Sequence, residues 1–168
     1  FKCFDNITMP ASLTKIGTSA FDGCDNISRL NYTGTLKEWY TVDRHSFAAL
    51  TDGSAELKIS NEAIPSRVVI GADVAYVGSY AFANQTQIKE VIIENTDVTK
   101  VSATAFVGCT GITHAEGDFN TLYSVTQHNE GLYPALKSVV VKGERAFNFS
   151  TCPNLLSITY EQDIVGFS

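Results

Sequence analysis

The chain has 168 residues, 44% of them hydrophobic and 18% charged, with a formal net charge of −6. That balance is not the composition of a disordered polymer, and it supplies enough apolar side chain for one folded domain. The negative charge leaves no basic patch for nucleic acid or an anionic membrane surface, and apolar runs as short as residues 139–141 cannot span a bilayer.

In chain order, the first element is a strand at Ile7/Met9, an apolar pair spaced by two and therefore on one face of an extended segment. A second apolar pair, Leu13/Ile16, follows; then come Ala20-Phe21, Gly23-Cys24, and Ile27 three residues further on. The order then returns. Strand pairs stand at Leu30/Tyr32, Val68/Ile70, Val91/Ile93, Val139/Val141 and Ile158/Tyr160, with a further strand expected near 115. Second pairs stand at Val74/Val77, Val98/Val101 and Leu122/Val125, and the Ala-Phe phrase at Phe82, Phe106 and Phe147. A unit of about 23 residues is too short to close a core alone, so each must bury its apolar face against its neighbours. The reading is a repeat solenoid over residues 1–168, one domain of about seven coils with its strands in parallel. Residues 1–9 read as the tail of a unit, which predicts a fragment of a longer protein.

Two places break the period. Leu30 and Val68 are separated by more than one unit, which predicts an insertion over 33–66. Within it, Thr35-Leu36-Lys37-Glu38 fits a capping box and predicts a short helix carrying Trp39 and Tyr40. Asp52-Gly53 signals a turn and Leu57/Ile59 alternate as a strand, which together predict a hairpin. The stretch 116–133 has the length of a coil but lacks Ala-Phe and Cys, and reads as a degenerate coil. Cys24, Cys109 and Cys152 hold equivalent places in the phrase, which predicts free, buried thiols acting as small hydrophobes; Cys3 lies outside the pattern.

The run from Ile7 through Pro10, Leu13, Ile16-Gly17, Ala20-Phe21 and Gly23-Cys24 resembles the BspA-like, or Treponema-type, leucine-rich repeat. Tyr32-Thr33-Gly34-Thr35-Leu36-Lys37-Glu38-Trp39 resembles a segment that often interrupts such arrays. The chain departs from the pattern at Asn84-Gln85, where Gly-Cys is expected, and in the widened Phe147-to-Cys152 spacing. The resemblance implies a curved solenoid with a parallel β-sheet on the concave face and short helical or irregular segments on the convex face. It also implies a cell-surface or secreted protein of a host-associated bacterium or protist, with host extracellular matrix or plasma proteins as partners in the adhesins of the family.

Catalytic arrangements are poor. His45, His114 and His128 fall in unrelated units, and His114-Ala115-Glu116 lacks the Cys ligands of a zinc deaminase. No Cys-x-x-Cys and no phosphate-binding glycine loop occurs. The expectation is a non-enzymatic domain without cofactor or metal. Asn-x-Ser/Thr triplets at Asn6, Asn26, Asn31, Asn84 and Asn148 read as turn chemistry, not as glycan acceptors.

Binding features are better. The residue between each inward pair must face outward: Thr8, Asn31, Val69, Ile92, Val140 and Thr159. A preceding outward row includes Arg29, Arg67 and Glu90. Val69, Ile92 and Val140 are apolar where water should be, which marks an interaction surface unless they only satisfy strand propensity. Trp39 and Tyr40 are a second candidate surface, against the alternative that they form the insertion's own core. The expected function is protein binding on the concave sheet, with host proteins as targets by resemblance alone; the alternatives are a structural spacer for a larger surface protein and a carbohydrate-binding module built on Trp39.

Overall fold

The computed structural model describes residues 5–24, 26–44, 55–94, 98–118, 121–122, 134–143 and 152–161. Its strands are β1 (Asn6–Met9), β2 (Lys15–Ile16), β3 (Arg29–Tyr32), β4 (Asp43–Arg44), β5 (Glu56–Ile59), β6 (Glu62–Ala63), β7 (Arg67–Ile70), β8 (Glu90–Ile93), β9 (His114–Asp118), β10 (Ser138–Lys142) and β11 (Ser157–Tyr160), joined among the described residues by the α-helix α1 (Leu36–Thr41) and a 3-10 turn at Val98–Lys100. They wind into a parallel solenoid of about five turns. One sheet runs β1-β3-β5-β6 and the other β11-β10-β9-β8-β7. The alternation read from sequence sets the register: Val68 pairs with Val91, and Ile70 with Ile93, all four buried. The second apolar pair makes its own ladder, β2 beside β4 and Val77 beside Val101.

The Ala-Phe phrase fills the space between these ladders. Phe82 and Phe106 are fully buried and stack with centroids 4.9 Å apart, and Tyr40 meets Phe82 edge-on at 5.6 Å. The phrase also turns sharply: Gly23, Asn84 and Gly108 occupy equivalent places at φ of 73°, 59° and 73°. Asn tolerates this left-handed conformation best after Gly, which explains the substitution at 84.

The next position differs for another reason. Cys109 is buried, and its Sγ donates to the Phe82 carbonyl at 2.9 Å. Gln85, its counterpart, faces β5, and its side-chain amide accepts from Leu57 N–H at 3.2 Å and donates to the Ala55 carbonyl at 3.3 Å. One amide thus serves the backbone groups that a neighbouring strand would otherwise pair.

The 33–66 stretch is organised differently from a plain insertion. Thr35 caps α1 in a reciprocal box, its Oγ1 accepting from Glu38 N–H and its own N–H donating to Glu38 Oε2 at 2.7 Å. However, β5 pairs in parallel with β3, so 56–59 belong to the array itself. The additions are α1 and the antiparallel strand β6. Ser60 and Asn61, at φ of 50° and 68°, form the two-residue turn of this hairpin; Asp52-Gly53 lies outside the described residues.

The cysteine expectation needs one correction. Cys109 and Cys152 are free and buried. Cys24 is disulfide-bonded, to a partner outside the described residues. Its place in the repeat is that of Cys109, but in the first coil it is only half-buried, so bonding can replace packing there.

Candidate functional site: the concave face of the second sheet

Parallel register across β7–β11 aligns the outward side chains in rows. One row is Arg67, Glu90, His114, Ser138 and Ser157; the next is Val69, Ile92, Glu116, Val140 and Thr159. A third continues at the strand ends with Glu94, Asp118, Lys142 and Glu161, where backbone ladder bonds persist from Glu94 N–H to Ile70 O and from Glu161 N–H to Val141 O. Between the first two rows lies an open depression of about 510 Å³, whose lining includes Arg67, Glu90, Ile92, His114, Glu116 and Lys137.

Ion pairs cross the rows along the solenoid. Arg67 Nε lies 3.3 Å from Glu90 and Lys142 Nζ lies 2.5 Å from Glu116, while His114 Nδ1 is hydrogen-bonded to Ser138 Oγ at 2.8 Å. The Lys142 ammonium is raised above its ordinary pKa, first by its hydrogen bond to Glu116 and then by the charges of Glu116, Glu161 and Glu94, against some desolvation. Partly exposed pairs of this kind orient side chains more than they stabilise the fold.

Of the residues proposed from sequence, Arg67, Val69, Glu90, Ile92, Val140 and Thr159 share this face. Val69 is 42% exposed, but Ile92 only 7%, sunk between its neighbours at the floor of the depression. Thr8 and Arg29 belong to the first sheet, where Arg29 pairs with Glu56 at 3.5 Å. Asn31 is not available as a surface residue: it is 7% exposed, and its Oδ1 accepts from Asn61 N–H at 2.8 Å in the β5–β6 turn. His114 and Glu116 are central to the face; the repeat period predicts their strand near 115 but does not mark them as binding candidates. Their strand has Ala115 and Gly117 at its inward positions instead of an apolar pair, because a Cβ on Gly117 would sit 3.2 Å from the Ile93 carbonyl.

The second candidate surface does not exist as one. Trp39 is fully buried and donates from Nε1 to the Ala81 carbonyl at 2.8 Å; Tyr40 is 3% exposed. Burial pushes the Tyr40 phenol up to about 12. Both residues serve as core between α1 and the Phe82 phrase, as a long apolar ring with one polar atom requires. Over Trp39, at 4.0 Å, lies the guanidinium of the buried Arg44, which donates to the Trp39 carbonyl but leaves Nε and Nη1 without a hydrogen-bond partner. Desolvation lowers the Arg44 pKa to about 9.

Among the described residues no group of His, Cys, Asp and Glu is arranged to hold a metal ion, and no helix is long and apolar enough to cross a membrane. No curated protein and no solved structure matches the chain. The sequence profile of the BspA type leucine rich repeat region does match it, in six copies, over residues 1–120 and 55–167. These matches span nearly the whole chain and agree with the parallel solenoid: the chain belongs to the BspA-type leucine-rich repeat family, whose repeats are consistent with a surface protein-binding module.

Proposed function

We propose that this chain is a non-enzymatic protein-binding module of a cell-surface protein, and that it engages host matrix or plasma proteins through the outward face of β7–β11. The observation that carries this reading is that Val69, Ile92 and Val140 share one outward row, broken by Glu116 between Ile92 and Val140, beside an open depression. Apolar side chains held at a sheet surface gain from being covered, and flanking charges select what covers them. The Cys24 disulfide supports export to an oxidising compartment. The burial of Trp39 and Tyr40 removes the aromatic platform on which a carbohydrate-binding reading relied.

The test is binding to a panel of purified extracellular-matrix and plasma proteins, with Val69→Glu/Val140→Glu alongside the native chain. Saturable binding that falls at least tenfold in the variant supports the assignment. Binding that survives unchanged places the interface elsewhere, and absence of binding across the panel favours a spacer.

A further inference from the structure

The charges flanking this outward row differ in sign at its two sides. On the side of the strand N-termini, among the described residues lining the depression, Arg67 and Lys137 outnumber Glu90; Arg67 is paired with Glu90 at 3.3 Å, and the Lys89 ammonium turns to the Thr86 carbonyl at 3.0 Å. On the side of the strand C-termini, Glu94, Asp118 and Glu161 outnumber Lys142. Lys142 is committed to Glu116 at 2.5 Å. Glu94 and Glu161 are exposed; they act on Lys142 through their charge without standing at ion-pair distance from it. Lys137 is exposed at the opposite side.

The three rows are two residues apart along each strand, as at Ser138, Val140 and Lys142 on β10. At about 3.3 Å per residue the outer rows are about 13 Å apart. An extended segment laid along the strands has the same period: its side chains at i, i+2 and i+4 point down onto the three rows.

We propose that this face takes an extended segment of a partner protein with the pattern acid-x-aliphatic-x-base, in either chain direction. The segment lies over β10–β11, with its carboxylate toward Lys137, its aliphatic side chain on Val140 and its ammonium or guanidinium toward Glu161; Val69 and Glu94 stand on β7 and at the end of β8, two to three strands away across the sheet. This rests on the concave-face reading above and specifies its ligand class. Complementary charge at both ends fixes register as well as orientation, and like charge at either end is rejected.

The probes are synthetic heptapeptides with Glu, Val and Lys at alternate positions, in both directions, and the same peptides with Lys or with Glu at both ends. Titration into the isotope-labelled full chain by NMR gives both affinity and location. The mixed peptide, in at least one direction, should bind about tenfold more tightly than either single-sign peptide and shift resonances in β7–β11. Glu161→Gln should weaken the mixed peptide about tenfold, and Lys137→Gln should also weaken it, whereas Lys15→Gln on β2, in the separate β2–β4 ladder, should leave it unchanged. A single-sign peptide that binds this face equally well overturns the polarised pattern but keeps the concave face as a binding surface. Failure of every peptide to shift β7–β11 overturns the proposal, while the concave-face reading is decided separately by the Val69→Glu/Val140→Glu panel.

Discussion

Cys109 and Gln85 occupy the same place in successive coils and do opposite things. Cys109 stacks beneath a regular neighbour, where a small apolar atom suffices; burial pushes its thiol up to about 12, despite a hydrogen bond to the Gln85 backbone that lowers it. Gln85 faces the irregular half, with α1 and the β5–β6 hairpin, and its amide stands in for an absent strand. The contrast shows what the repeat encodes. Its conserved-looking phrase builds coil-on-coil packing, and a departure from it marks where the packing partner changes.

The largest expected effect is in the regular half. Phe82→Ala should cost about 3–5 kcal/mol in denaturant unfolding, since the ring stacks on Phe106 and supports Tyr40. A comparable loss, about 3 kcal/mol, is expected for Gly111→Ala, whose Cβ would lie 1.9 Å from the Thr86 carbonyl oxygen and force two coils apart. At the junction, Gln85→Cys should restore the phrase yet lower stability by about 2 kcal/mol, because Leu57 N–H and the Ala55 carbonyl lose their partner. An unchanged midpoint for Gln85→Cys would remove the contrast between the two halves.

Smaller effects sharpen the comparison. Arg44→Met should raise stability by about 1 kcal/mol: it replaces a buried cation with two unsatisfied nitrogens, and the Trp39 carbonyl keeps Val42 N–H as a donor. Alkaline pH should act the other way on Tyr40 and Cys109. Their folded values of about 12 exceed their ordinary values of 10.0 and 9.0, so the stability they contribute is complete below pH 9 and is lost as pH rises towards 12. Arg44, with its lowered value, opposes this loss over the same range, so thermal unfolding in the Arg44→Met variant should show the steeper decline.

The solenoid was legible because inward strand pairs and the Ala-Phe phrase recur together, and periodicity reports burial directly. Individual surface residues were less legible because exposure depends on what covers them. Nothing near Asn31 in sequence says that Asn61, thirty residues on, folds back onto it. For Trp39 the sequence favours the centre of the insertion's own core over a surface role, and α1 packed against Ala81 buries it as that reading expects. The period points to a strand near 115, but it does not single out His114 and Glu116, because β9 has Ala115 and Gly117 at its inward positions and lacks the apolar pair that marks which residues face outward.

The concave-face assignment is tested most directly by the matrix- and plasma-protein panel with two variants of matched exposure. Val69 and Tyr76 are 42% and 40% exposed, but only Val69 lies on the outward face of β7. The account predicts that Val69→Glu/Val140→Glu abolishes binding with stability changed by less than about 1 kcal/mol, and that Tyr76→Glu leaves binding intact. Loss of binding in Tyr76→Glu, with full binding retained in Val69→Glu/Val140→Glu, would contradict it.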